Sequence, residues 1–561
     1  MTHEAQPLLA GSSSSSGPTD HGTLSKPRRP SSSSLPAPIF VAANDASGAG
    51  LRSPASPLGP PLSPGAASSI HDHQIDRPMS WARNWREIKR LARLSAPCVS
   101  SQVLNYMNRM VVTLMVGHLG AAELASSTLA VMFSNVLGFS ICFGLSTALD
   151  TLASQAVTGS ANPRQAGIFL QRAILINVLL AIPISVVWIF AEPLLVLCGQ
   201  EPELAYMAGN YIKLMLPGLV PNIITNCIAK FLQAQGLMDA QMLVMLAVFP
   251  INVALQYFLV YFPSPLQIGF YGAPLGSAIC DNLAMVGIIL YATYWNGYQA
   301  WHPWTWEATK NWKQYLNLGF PGMVMICAEW WMFEVVALLA GLFGATALAA
   351  QSVMLNTASL VYMFALGVSV ANSNRVGNFL GAGKPGRAKH SAHMSLIMAL
   401  AMAAVNCVIL ILLRHQWGYI FTSDPDVIAL VASVLPVCAL FQFADGACCV
   451  LGGILRGCGK QKQGALINLV SYYLVGLPLA LLFTFPLKLE LFGIWVGLAL
   501  ALAFTLVVTG LYVFYSIDWV DEVRCARIRV NEHTPATMSG SDVESAEVLV
   551  EDEDRLIEDS D

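Results

Sequence analysis

Charge is scarce in this chain: 11% of its 561 residues are Asp, Glu, Lys or Arg, against roughly 25% in a soluble domain. A surface that poor in charge cannot face water throughout. The parts for nucleotide-driven work are missing too. GAGKPG (381–386) resembles a phosphate loop only superficially, because it lacks the Gly-Lys-Ser/Thr ending. No other ATPase signature, no zinc spacing and no nucleophile elbow occurs, and no His or Asp cluster stands where a membrane-embedded enzyme would need one. Enzyme chemistry is therefore not expected. The twelve cysteines form no CxxC pair and no disulfide spacing, which reads as buried or reduced thiols. A net charge of -4 gives no footing for nucleic acid. No cleavable signal peptide opens the chain.

What is present is apolar: 55% of the residues. Runs such as 465–483 and 493–514 match the ~20 residues that cross a bilayer as a helix. Twelve such spans are expected, at about 94–117, 124–156, 168–190, 205–232, 240–262, 270–295, 312–341, 345–379, 391–413, 426–455, 463–485 and 490–515. The fold class is thus an all-α polytopic membrane protein. Residues 1–80 are rich in Ser, Pro and Gly and read as a disordered tail. Trp81 to Arg93 is a basic amphipathic segment, expected on the inner membrane surface. Residues 518–561 are polar, then acidic, and read as a second disordered tail. Arg83, Arg86, Lys89, Arg90 and Arg93, with Arg164, Arg172, Lys310, Lys313, Arg375, Lys384, Arg387, Lys389, Arg456, Lys460 and Lys462, all fall at one membrane face if the count is twelve. The positive-inside rule puts that face, and both termini, in the cytosol.

The two halves repeat at an offset of 222 to 224 residues. Residues 147–166 line up with 369–388, 231–241 with 454–464, and 94–98 with 318–322. An even number of spans separates each pair, so the halves share one orientation. Two pseudo-symmetric six-helix bundles follow, over 81–300 and 301–517, with a cargo site between them and rocking as the natural motion.

Ionisable groups inside spans are candidates for function. Glu329 and Glu334 lie in span seven and Asp445 in span ten. A carboxyl in a low dielectric holds a proton at a pH where a solvated one has lost it. Proton and cationic cargo can then compete for one site, which couples them. Five residues turn a helix by about 140°, so Glu329 and Glu334 cannot both face a narrow cleft. The plainer reading is a buried acid capped by hydroxyls that holds the bundle together. Trp330, Tyr362 and Phe441, with Trp331 and Phe333, are candidates to receive an organic cation; packing is the plainer alternative. Asp150 in span two reads as a structural or pairing group, and Gln155 as polar glue between helices. Arg109 in span one is either snorkelling or facing an acid, and Asp281 in span six reads as half of a buried pair.

The stretches ALDTLASQAVTG (148–159), LCGQEPELAYMAGNYI (197–212), FLQAQG (231–236), AEWWMFE (328–334), RVGNFLGAGKPGRA (375–388) and GGILRGCGKQKQGALINLVSYYLVGLPLALL (452–482) resemble the multidrug and toxic compound extrusion (MATE) transporters, in their eukaryotic, fungal-like branch. The resemblance runs over about residues 85–517. It implies the twelve-helix, two-bundle fold and cation-coupled efflux of small organic compounds, with functional roles for both acids of AEWWMFE and for Asp445. Asn356 stands where animal members tend to carry a third acid. The implied energy source is a proton gradient, with sodium the lesser alternative and no bound cofactor. A lipid-linked precursor flippase of the same superfamily is the competing function; it would want a basic cavity. The expected unit is a monomer in a lipid bilayer. Two acidic dileucine patterns, Glu4-Leu8-Leu9 and Asp552-Leu556-Ile557, are expected to read as sorting-adaptor addresses, which favours the vacuolar over the plasma membrane.

Overall fold

The computed structural model describes residues 81–531, except 161, 163, 262–267, 296, 298–299 and 423. The first 80 residues, the end of the acidic tail, both dileucine patterns and Pro163 lie outside the described residues. The spans are α1 (Trp81–Gly117), α2 (Ala121–Gly159), α3 (Gln165–Ile189), α4 (Pro202–Ala234), α5 (Asp239–Val260), α6 (Gly269–Trp295), α7 (Trp312–Gly341), α8 (Ala345–Gly381), α9 (Pro385–Leu412), α10 (Pro425–Cys458), α11 (Gln461–Thr484) and α12 (Glu490–Ser516). Eleven are long and apolar enough to cross a membrane. The twelfth, α1, carries Asn105, Asn108 and Arg109 in its middle, because that stretch faces polar neighbours in the bundle. No strand occurs among the described residues.

Two elements differ from the sequence reading. The basic amphipathic segment is continuous with the first span, as the first three turns of α1, a single helix of 37 residues. The helix runs on through Pro97, and Glu87 holds the segment against α8 through two bonds of 2.6 Å from Arg375. The second tail begins later than its composition suggests, because α13 (Trp519–Asn531) is helical. Its Trp519, Val523 and Ala526 are buried in the second half's core and Val530 in the first half's. Glu522, 2% exposed, pairs with Lys460 and Arg529. A short buried face under a polar composition escapes a reading based on composition.

The first half, α1 to α6, has one continuous apolar core. The core of the second half is divided. One part gathers Met332, Phe441, Trp495 and Leu498; the other gathers Leu451, Ile454, Leu455 and Cys458. The turns of α10 between them carry Asp445, Cys448, Cys449 and Gly452, which line a crevice. The repeat is legible in backbone geometry: Gly236 and Gly459, matched by the offset, both end their helices at positive φ, 81° and 76°, the left-handed turn that glycine alone enters freely.

The halves meet along a seam in which α1 faces α8, α2 faces α7, and α2 crosses α8 near the face that carries the basic loops. Small residues make the crossing close. A Cβ on Gly381 would lie 2.4 Å from the Gln155 carbonyl, and one on Gly159 would lie 2.7 Å from the Gly381 carbonyl. These two glycines are repeat partners, so the pseudo-twofold axis passes beside them. Polar links zip this basic end. Thr158 donates to the Asn378 carbonyl at 2.7 Å, Gln155 to Gly457 at 3.0 Å, and Asn378 to Ala234 at 3.2 Å. Polar links also cross the seam farther from this end, where the Tyr106 hydroxyl bonds Asn356 at 3.1 Å and Trp331 donates to the Val136 carbonyl at 3.1 Å.

Gly381→Val has no room at this crossing and is expected to destabilise the chain by about 2 kcal/mol, the usual result of overpacking; an unchanged thermal unfolding midpoint would contradict the close approach. Burial raises the Glu87 carboxyl, but the hydrogen bonds and charge of Arg375, with smaller help from Ser391 and His390, together more than offset it, leaving the pKa below the ordinary carboxylate value. A depressed acid stabilises fully above its unfolded pKa and loses that contribution as pH falls through the folded one. Protection of residues 81–93 in hydrogen exchange is therefore expected to persist through the ordinary carboxylate range and fail only below it. In Arg375→Gln the main opposition to burial is gone, and protection is expected to fail at higher pH than in the wild type.

Candidate functional site

The crevice in the second half is walled by α7, α8, α10, α11 and α12. Glu329 comes from the middle of α7, Tyr362 from α8, Asp445 and Arg456 from α10, Asn468 and Tyr472 from α11, and Thr505 and Thr509 from α12. Local irregularities aim these groups. Pro321 lies two turns before Glu329 in α7, and Asn468 donates to the Met325 carbonyl at 3.1 Å. A π-helical stretch, Val470–Gly476, carries Tyr472; such bulges recur where a helix must turn a side chain toward a site. Asp445 is 3% exposed. Tyr362, Glu329 and Asp445 share the wall of this one crevice. Neighbouring carboxyls of this kind titrate as a pair rather than singly, which suits a site for a proton or small cation. The space open to water is only about 20 Å³, whereas pockets for drug-sized ligands run to about 300 Å³ or more. In this conformation the crevice admits a water-sized guest.

The remaining candidates are placed elsewhere. Glu334 is partly buried on α7 and does not line the crevice, as the helical phase requires. Phe441 is not a cavity residue: it is fully buried, edge-on to Phe333 and Trp495, because it falls on the apolar side of α10. Trp330 stacks on Phe143 across the seam, centroids 5.8 Å apart. Trp331 donates to the Val136 carbonyl at 3.1 Å, beside a π-helical stretch of α2 (Asn135–Phe139) whose altered bonding exposes acceptors. Asn356 is exposed and tied to Tyr106 of the first half rather than to the acids. Arg109 is exposed, and Asp281, in the same half, accepts from Asn222 at 3.1 Å.

A second constellation sits at the basic end of the seam. Asp150, 3% exposed, takes Lys230 Nζ on Oδ1 at 2.6 Å and faces Arg456 Nε with Oδ2 at 3.4 Å. Lys230 belongs to α4 of the first half and Arg456 to α10 of the second, so one carboxylate joins both halves. Thr151 donates to the Arg456 carbonyl, Gln461 to Thr151 at 2.8 Å, and Arg456 Nη2 to Ser369 at 2.9 Å. Gln155 accepts from Arg529 of α13 at 3.3 Å. Sequence reasoning passed over Lys230 and counted Arg456 and Arg172 among the loop charges. Arg172 is fully buried in α3, reaching Gln314 and the Glu307 carbonyl. The available signal was the rule for Glu329 applied consistently: a charge within a turn or two of an apolar run is a candidate for burial.

The MatE family model matches residues 97–258 and 321–482, one match in each half. An uncharacterized transporter of Schizosaccharomyces pombe is 37% identical over 80% of this chain and 83% of its own length. Multidrug and toxin extrusion protein 2 of Oryctolagus cuniculus is 38% identical over 78% of this chain and 72% of its own. The crystal structure of the eukaryotic MATE transporter AtDTX14 superposes with a TM-score of 0.76 at 30% identity, covering 80% of this chain and 99% of that one.

Charge arithmetic ranks the seam variants. Asp150→Asn leaves Lys230 and Arg456 buried without an anion, a loss of about 3–5 kcal/mol. Arg456→Gln leaves a neutral Asp150–Lys230 pair and is expected to cost distinctly less. Thermal unfolding of the two purified variants tests the order, and equal losses would contradict it.

Proposed function

The chain belongs to the MatE family of multidrug and toxin extrusion transporters, and we propose on that premise that it exports organic cations and amphipathic compounds by exchanging them for protons. The observation that carries this is the placement of Glu329 and Asp445 together in one crevice at mid-span. The acids hold a proton in the narrow state. Cargo enters the cleft between the halves, and a shift of α7 widens the crevice enough for a cation to take the proton's place. Exchange then follows, because one negative site serves two positive ligands in turn. The basic face is the cytosolic one in this reading, and the vacuolar membrane is the favoured destination, on the strength of the two dileucine patterns. A flippase for pyrophosphate-linked lipids is disfavoured by the two acids in the crevice.

Efflux from proteoliposomes under an imposed proton gradient tests the reading. Glu329→Gln is expected to lower proton-driven efflux at least about tenfold, a change worth ~1.4 kcal/mol. Full coupled efflux by the variant, or equal drive from a sodium gradient in the wild type, would overturn it.

A further inference from the structure

Arg456 belongs to both constellations. It lines the crevice with Glu329 and Asp445, and it is the second half's contribution to the ion cluster on Asp150. We propose that Arg456 is a positioning residue through which the load on Glu329 and Asp445 decides whether the basic end of the seam stays shut. The inference rests on the reading of those acids as the coupling site and adds the route by which they reach the gate.

The argument is a charge count. The closed seam buries two cations, Lys230 and Arg456, around one anion, Asp150. Their side chains are 8%, 7% and 4% exposed, so water does little to screen the surplus. Arg456 is also under-bonded: its Nε is buried and makes no hydrogen bond, although it lies 3.4 Å from Asp150. One more negative charge is needed nearby, and the crevice wall supplies it. Glu329 and Arg456 line the same closed crevice. The other titratable groups around the crevice are Asp445, Cys448 and Cys449 on α10, Tyr362 on α8 and Tyr472 on α11; the phenols and thiols are neutral. The α12 wall presents Thr505 and Thr509, which carry no charge.

With one acid ionised, the buried cluster is balanced and the basic end is held shut. A proton on that acid removes the balancing charge, and an organic cation beside it cancels it. Either ligand leaves the closed seam with a surplus buried cation, which favours separation of the halves at that end. An exchanger needs this rule: the empty carrier is locked, and both loaded forms are free to move. A purely structural Arg456 would hold the seam equally well whatever the acids carry.

Hydrogen exchange of the full chain at one fixed neutral pH tests this without altering the intrinsic exchange chemistry. Neutralising the acids with Glu329→Gln/Asp445→Asn is expected to speed exchange in segments 151–159 and 455–461 about tenfold. In an Arg456→Gln background the same neutralisation is expected to change exchange less than about twofold, and Arg456→Lys is expected to restore the response. Should Arg456→Gln fail to fold, Lys230→Gln removes the surplus cation from the other half and is likewise expected to abolish the response. No acceleration on neutralising the acids, or the same acceleration without Arg456, would overturn the proposal. The proteoliposome assay separates the two ideas. Proton-driven efflux with an indifferent seam rejects the role of Arg456 and leaves exchange standing. A seam that responds through Arg456 without proton-driven efflux rejects proton exchange and leaves the latch.

Discussion

Asp150 is the only carboxylate among the described residues that bonds cations from both halves deep in the span region, with Lys230 on its own side and Arg456 on the other. A buried charge is tolerable only when paired and bonded, so this group fixes where α2, α4 and α10 meet. The bonds of Thr151, Gln155 and Gln461 are arranged around that point. The α13 helix adds a strap: Arg529 reaches Gln155 of the first half and the Cys458 carbonyl of the second, while Glu522 anchors it to Lys460. Burial and charge pull oppositely on Lys460, and the hydrogen bond and charge of Glu522 prevail, so its pKa rises. Polar links between the halves gather around this cluster and its α13 strap.

The seam is close because its residues are small. Gly377 stands against Ser154, Gly381 against Gln155 and Gly322 against Thr147. In a bilayer, helices gain little from burying apolar surface against one another, so packing and polar bonds decide association. Glycine and hydroxyl contacts supply both without requiring interlocked large side chains. Such a surface can part and re-form.

The bundle plan was legible in the sequence because it rests on strong, redundant signals: long apolar runs, alternating basic loops and a repeat. The choice between Glu329 and Glu334 was partly legible, since helical phase allows only one into a narrow cleft. The role of Phe441 was not, because an aromatic beside an acid in the sequence can sit on the opposite side of its helix. Lys230 and Arg456 were missed for a related reason. Near a helix end, one turn separates a solvated loop charge from a buried one, and hydropathy windows are too coarse to resolve a turn. The α13 helix was hidden by its polar composition, although its buried apolar positions, 519, 523, 526 and 530, recur at helical spacing.

The repeat also accounts for the polarity of the site. Carried back by the same offset, Asp445 falls on Asn222 and Glu329 on Asn105, so the first half holds amides where the second holds acids. At the basic end two of the three exchanges run the other way, and the third keeps its charge in the second half. Asp150 falls on Asn372, a buried side chain with no hydrogen-bond partner, Lys230 falls on Gly453, and Arg456 falls on Gln233. Duplication supplies two like bundles and a tight glycine crossing, and that alone would make a symmetric hinge with no preferred ligand. Divergence at these five positions puts titratable acids in one half and their balancing cations at the seam, so that the charge state of one half is registered by the contact between both.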